Sequence, residues 1–212
     1  MEHSNQRRNN RSRAAVSRRE NGNVIPTMRI LQINSDIAEK RRIPDEVVRQ
    51  MSDLLGSNMT RLTGCTHIDW QSDANFQKWK HKVFLGDVQK HTRHILLVDD
   101  DGLKGFISYT VPPEASAIYL NEIQIRASAQ GDGVTLRVLI LRFLDEARRL
   151  PHKSVRTYTS KLNDRAQHLI EKAGFRLEEQ TERGFRYTAS KGNLLARFRP
   201  TAGTPRLMRD VR

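Results

Sequence analysis

Apolar and polar residues alternate from Met28 to Ile33 (MRILQI), which predicts a first strand. Ser35 and Asp36 then offer caps for a helical stretch. Pro44-Asp45-Glu46 opens another, in which Val47, Val48, Met51, Leu54 and Leu55 recur at helical spacing until Gly56 stops it. From Asp73 to Lys90, the residues Phe76, Trp79, Val83, Phe84 and Val88 fall near a period of 3.6 and predict a further helix. His94 to Asp99 and Leu103 to Val111 flank Asp100-Asp101-Gly102, a turn signal between two strands. After Pro112-Pro113, Ala117 to Arg126 reads as a third strand. Strict alternation puts Tyr119, Asn121, Ile123 and Ile125 on one face and Leu120, Glu122 and Gln124 on the other.

Val134 to Ala147 is apolar over a stretch too long for a strand, and it follows Gln130-Gly131-Asp132-Gly133. The pattern is that of a buried helix entered through a glycine turn. Ser154 to Ser160 alternates again. Asn163 caps a helix in which Ala166, Leu169, Ile170 and Ala173 recur until Gly174. Phe175 to Glu179 and Gly184 to Thr188 form a closing hairpin. The fold class expected is therefore α/β (α+β), with a mixed, largely antiparallel sheet flanked by helices over residues 23–190.

Charge changes the picture at the two ends. The 212 residues carry a net charge of +13, with +4 in residues 1–22 and +5 in residues 191–212, where apolar periodicity is lacking. Both segments read as basic, disordered tails. Such tails serve either as electrostatic arms for nucleic acid or as solvated ends, and neither carries the interleaved aromatics that base stacking uses. No run of about 18 apolar residues exists and the start lacks a secretory signal, so a cytoplasmic protein without a membrane partner is expected. A single cysteine, Cys65, excludes internal disulfide and cysteine-based metal scaffolds.

Chemistry first appears at the glycine turn. A helix N-terminus leaves backbone N–H groups without intrahelical partners at the positive end of the dipole, which suits a phosphate. Alone, the turn reads equally as a bend or as a cradle, because it lacks the spacings of the dinucleotide and P-loop motifs.

Two ordered stretches decide between these. Gln130-Gly131-Asp132-Gly133-Val134-Thr135 is similar to the Gln/Arg-x-x-Gly-x-Gly/Ala pyrophosphate loop of the GNAT superfamily of acyl-CoA-dependent N-acetyltransferases, with Thr135 in place of the last small residue. Asn163 to Phe175 resembles that family's Asn-x-x-Ala-x-x-Leu-Tyr-x-Lys-x-Gly-Phe helix, with Ile170 in place of the tyrosine. The resemblance spans roughly residues 28–190.

It implies that two central strands, Ala117–Arg126 and Ser154–Ser160, splay apart. Acetyl-CoA or another acyl-CoA would bind along Ile123, Gln124 and Ile125, with its pyrophosphate on the amides of Gly131 to Thr135 and its pantetheine arm facing Asn163. Asp132 places a carboxylate near the phosphates, which Arg126 or Arg137 would offset. The reaction implied is direct attack by an amine on the thioester, with an N–H near Ile123 stabilising the oxyanion. Ile170 removes the family's usual thiolate donor, so Tyr119, Tyr158 and Glu122, the only carboxylate on its strand, become the proton-transfer candidates. Against these stand packed strand tyrosines and a solvated glutamate. The acceptor is an amine on a small molecule, a protein or an aminoacyl group. Its choice would lie in residues 36–90 and the final hairpin. A GNAT-like fold that binds acyl-CoA without turnover, and a nucleic-acid-associated protein led by its tails, are the other readings.

Overall fold

A computed structural model describes residues 19–20, 23–24, 28–63, 68–86, 90–131 and 133–198. Most of both expected basic tails, together with Cys65 and Asp132, lies outside the described residues. Arg19–Glu20 (β1) and Asn23–Val24 (β2) make a separate antiparallel pair. The main sheet holds β3 (Arg29–Ile33), β4 (Thr92–Asp99), β5 (Gly102–Thr110), β6 (Ala117–Ile125), β7 (Ser154–Ser160), β8 (Arg176–Gln180) and β9 (Gly184–Ser190). Their order is β3-β4-β5-β6-β7-β9-β8, antiparallel except between β6 and β7. The mixed, largely antiparallel sheet expected from the sequence is present.

Helices cover both faces, which is why β4 and β5 read as nearly continuous apolar runs. On one face pack α1 (Ile37–Lys40), α2 (Asp45–Thr63) and α3 (Asp73–Trp79), the last continued by a π-helical turn at Lys80–Phe84. That face buries Ile33, Met51, Phe76, Phe84, Leu96 and Phe106. The other face carries α4 (Val134–Arg149), α5 (Asp164–Lys172) and α6 (Lys191–Arg197). There Ile95, Ile107, Leu120, Leu139, Phe143 and Val155 are buried together. The parallel β6–β7 pair is possible only because α4 supplies the crossover.

Four sequence expectations change. Gly56 does not end its helix, which continues to Thr63. Its role is close approach, since a Cβ there would overlap the Trp70 side chain. The helical stretch expected to reach Lys90 ends at Phe84, and Val88 lies outside the described residues. The tail expected from residue 191 begins as α6, capped by Ser190 and anchored by Leu194, which is 3% exposed. Strict alternation in β6 fails at a bulge: Ser108 faces Glu122 while Tyr109 faces Leu120, so Asn121 is skipped. Leu120, Ile123 and Ile125 therefore all join the α4 face. The register puts Tyr119, Glu122 and Gln124 together on the α2 face.

Gly184 matters for the same region. A Cβ there would collide with the Thr159 carbonyl and the Tyr158 ring, both across the β7–β9 pair. We expect Gly184→Ala to lower unfolding free energy by about 1–3 kcal/mol, the usual range for overpacking. Urea denaturation checks this; an unchanged midpoint would mean that the strands part without cost.

Candidate active site

Pairing between β6 and β7 ends at Leu120 and Thr157. Beyond that point Glu122 to Ile125 have no strand partner on the β7 side among the described residues. The Asn121 bulge adds twist where the strands part, and Thr157 Oγ1 closes the fork with a 2.9 Å hydrogen bond to the Leu120 carbonyl. The expected splay is thus present, and its cause is the bulge together with the end of parallel pairing.

The strand leads through a 3-10 turn (Ala127–Ala129) into the glycine turn. Gly131 has φ 100° and Gly133, at the N-terminus of α4, φ 67°. These are left-handed conformations that favour glycine. Leaving aside the chain neighbours, no atom lies within 4 Å of where a Cβ would sit at either position. Val134 is exposed and Thr135 is 3% exposed. Gln130 turns inward: its Nε2 donates to the Ile125 carbonyl at 2.8 Å. Its Oε1 accepts from Arg61 at 3.1 Å and from Arg165 at 3.5 Å. Gln130 therefore ties the turn to the strand and gathers two guanidinium groups beside it. The sequence reading missed both arginines. Arg165 stands inside the Asn163 motif, while Arg61 lies on α2, 69 residues from Gln130, and only tertiary structure brings it there. Arg126, one of the two arginines expected to offset Asp132, donates to the Asp101 carbonyl at 3.2 Å.

The Gln124 side chain turns to α2, its Oε1 accepting from Asn58 Nδ2 at 2.8 Å. Asn163 caps α5, its Oδ1 accepting from Ala166 N at 3.0 Å. Ile170 packs on the α4-side core and offers no proton.

The three proton-transfer candidates share the α2 face by register. Tyr119 hydrogen-bonds Arg156, which also pairs with Glu178 at 2.6 Å. Tyr158 is 47% exposed and its hydroxyl lies 3.4 Å from Thr181 Oγ1. Glu122 is different. Its Oε2 is buried without a hydrogen-bond partner, and burial pushes its carboxyl up from 4.5 to about 7. A buried carboxylate left unmatched costs stability, so its presence calls for an explanation. Next to it in the sheet lie Ser108 and then His94.

An open groove of about 430 Å³ runs between α2 and the end of β6, lined by Gln50, Asp53, Asn58, Arg61 and Arg126. It adjoins the glycine turn through Arg61. Burial raises the Asp53 carboxyl, opposed by Arg49. Among the described residues no three His, Cys, Asp or Glu side chains gather as a metal site would need.

Solved structures share this architecture. An acetyltransferase from Thermus thermophilus is matched over 78% of this chain and 99% of its own, with a TM-score of 0.58 and 16% identity. The chain has the GNAT fold, shared with a GNAT-family protein from Desulfovibrio desulfuricans. The PaiA N-acetyltransferase from Thermoplasma acidophilum, solved in complex with coenzyme A, matches at a TM-score of 0.52 and 14% identity over 77% of this chain and 98% of its own. A point mutant of the spermidine N-acetyltransferase SpeG from Vibrio cholerae matches at a TM-score of 0.55 and 18% identity over 79% of this chain and 97% of its own. No protein-family model and no curated protein matches the sequence. At such identities the GNAT fold is shared while side chains have diverged, so the chemistry must come from this chain's own residues. No described helix is long and apolar enough to cross a membrane.

Proposed function

We propose that the chain is an N-acyltransferase, moving an acetyl or related acyl group from acyl-CoA to an amine by direct attack in a ternary complex. The observation that carries this is Glu122: a buried carboxylate with an unpartnered oxygen, at the fork where β6 leaves β7. The surrounding residues fit the cofactor. Open backbone at Gly131 and Gly133 and the positive end of α4 suit a pyrophosphate. The unpaired edge from Ile123 to Ile125 suits the pantetheine amides, Asn163 lies at the start of the facing helix, and Arg61 and Arg165 supply positive charge.

Acyl-CoA supplies the activated acyl group as a thioester. Glu122 takes the proton from the acceptor amine as the C–N bond forms, a task matched to a carboxyl that titrates near neutrality. The Ile123 N–H meets the charge developing on the acyl oxygen. Tyr158, rather than Ile170, returns a proton to the departing sulfur, and Tyr119 is held by Arg156 as part of the acceptor wall.

Isothermal titration with acetyl-CoA, followed by thiol release with a panel of primary amines headed by spermidine, tests the reading. Micromolar binding and amine-dependent release are expected; absence of binding overturns it. Tyr158→Phe should lower kcat about tenfold with cofactor affinity unchanged, a loss of about 1.4 kcal/mol. A wild-type kcat in that variant would remove Tyr158 from the reaction.

A further inference from the structure

His94, Ser108 and Glu122 form a row across three adjacent strands, each directly opposite the next on the α2 face. Directly opposed residues place their Cβ atoms about 5 Å apart, so the central serine can turn its hydroxyl to either neighbour. It turns to the histidine: Ser108 Oγ lies 2.9 Å from His94 Nδ1. Both residues are buried, His94 at 1% and Ser108 at 4% exposure. On the other side of the serine, Glu122 Oε2 has no hydrogen-bond partner, and His94 Nε2 has none either. With the imidazole proton on Nε2, Nδ1 is the acceptor of this contact and the serine's single proton is committed to it.

Glu122 is left with no hydrogen bond at Oε2 although a hydroxyl stands on the neighbouring strand. We propose that His94 is a positioning residue: it draws the Ser108 hydroxyl away from Glu122 and so keeps that carboxylate free for a ligand amine. The proposal deepens the acyltransferase reading and, in its kinetic consequence, rests on it.

The other groups around the row do not take this role. Lys40 of α1 is 2% exposed, lies 5.9 Å from the centre of the Phe84 ring, and by its charge adds to the burial that keeps His94 neutral. Burial pushes Lys40 itself down to about 8. On the same strand as Glu122, Tyr119 is held by Arg156, whose charge is matched by Glu178. On α2, Asn58 holds Gln124, Arg61 is turned to Gln130, and Asp53 lines the groove. Lys80 of the π-helical turn pairs with Asp45. Burial alone raises the Glu122 carboxyl.

The test reads Glu122 directly, by carbon NMR titration of the full chain with the signal assigned through Glu122→Gln. Wild type should titrate near 7. In His94→Phe the released serine donates to the carboxylate, favouring its charged form, and the midpoint should fall by about one pH unit. Ser108→Ala should titrate like wild type, and His94→Phe with Ser108→Ala should restore the wild-type midpoint. An unshifted His94→Phe, or a double variant still shifted down, overturns the proposal. If His94→Phe does not fold, Ser108→Ala decides alone, because a raised midpoint there would mean that the serine already bonds Glu122. The acid limb of kcat/KM should move with the NMR midpoint. A shifted midpoint with an unmoved limb would sustain the positioning role and overturn Glu122 as the base.

Discussion

Glu122→Gln should lower kcat about 100-fold or more and leave acetyl-CoA affinity within about twofold, the range in which loss of a general base falls. The reason is electrostatic. Burial holds the carboxyl near 7, so at neutral pH about half of the molecules carry a base strong enough to take an amine proton. In wild type, kcat/KM should fall about tenfold per pH unit below about 7, because the acid form cannot accept, and the glutamine variant should lose that limb. Stability moves the opposite way. Folding raises this pKa above its unfolded value of 4.5, so the native state is penalised above about pH 7 and not below about 4.5. Glu122→Gln should therefore gain stability at about pH 8, by at most about 3 kcal/mol, and gain nothing at about pH 4. A variant that is both less active and less stable at the higher pH would point to structural damage instead. Thiol-release kinetics and thermal melts at the two pH values measure both effects.

What was legible in the sequence was local. The Asn163 helix, the glycine turn and the strand alternations each announce themselves within a short stretch of chain, and the element order follows from them. The misses arose where two distant segments meet. A period of two in β6 assumes an unbroken pleat, and nothing in AIYLNEIQI marks Asn121 as the extra residue; the bulge exists because β5 opposes it. Its effect on the site is large, since it puts Glu122 on the same face as Tyr119 and parts it from Leu120. Gly56 looks like a helix stop until Trp70 arrives against it. Arg61 gives no signal of its own, because its partner Gln130 lies across the sheet. Leu194 gives little more, because Lys191 to Arg197 is short and flanked by charge, yet Ser190 caps it and one leucine suffices to seat it.

Gly133→Glu should weaken acetyl-CoA binding about 100-fold, or about 2.7 kcal/mol, measured by isothermal titration. Gly133 enters α4 with φ 67°, and beyond its chain neighbours no atom lies within 4 Å of a would-be Cβ. Two costs remain separable. Any L side chain at this φ is strained by about 1–2 kcal/mol, a penalty on folding that Gly133→Ala carries equally. The carboxylate adds repulsion toward a pyrophosphate at the positive end of the helix and occupies the approach that glycine leaves open. Gly133→Ala should therefore bind acetyl-CoA much more tightly than Gly133→Glu while melting at a similar temperature. High salt should narrow the gap, because exposed charges are screened within about 10 Å at about 0.1 M. Equal affinity for glycine, alanine and glutamate at this position would place the phosphates elsewhere, and the α4 turn would then be a bend and nothing more.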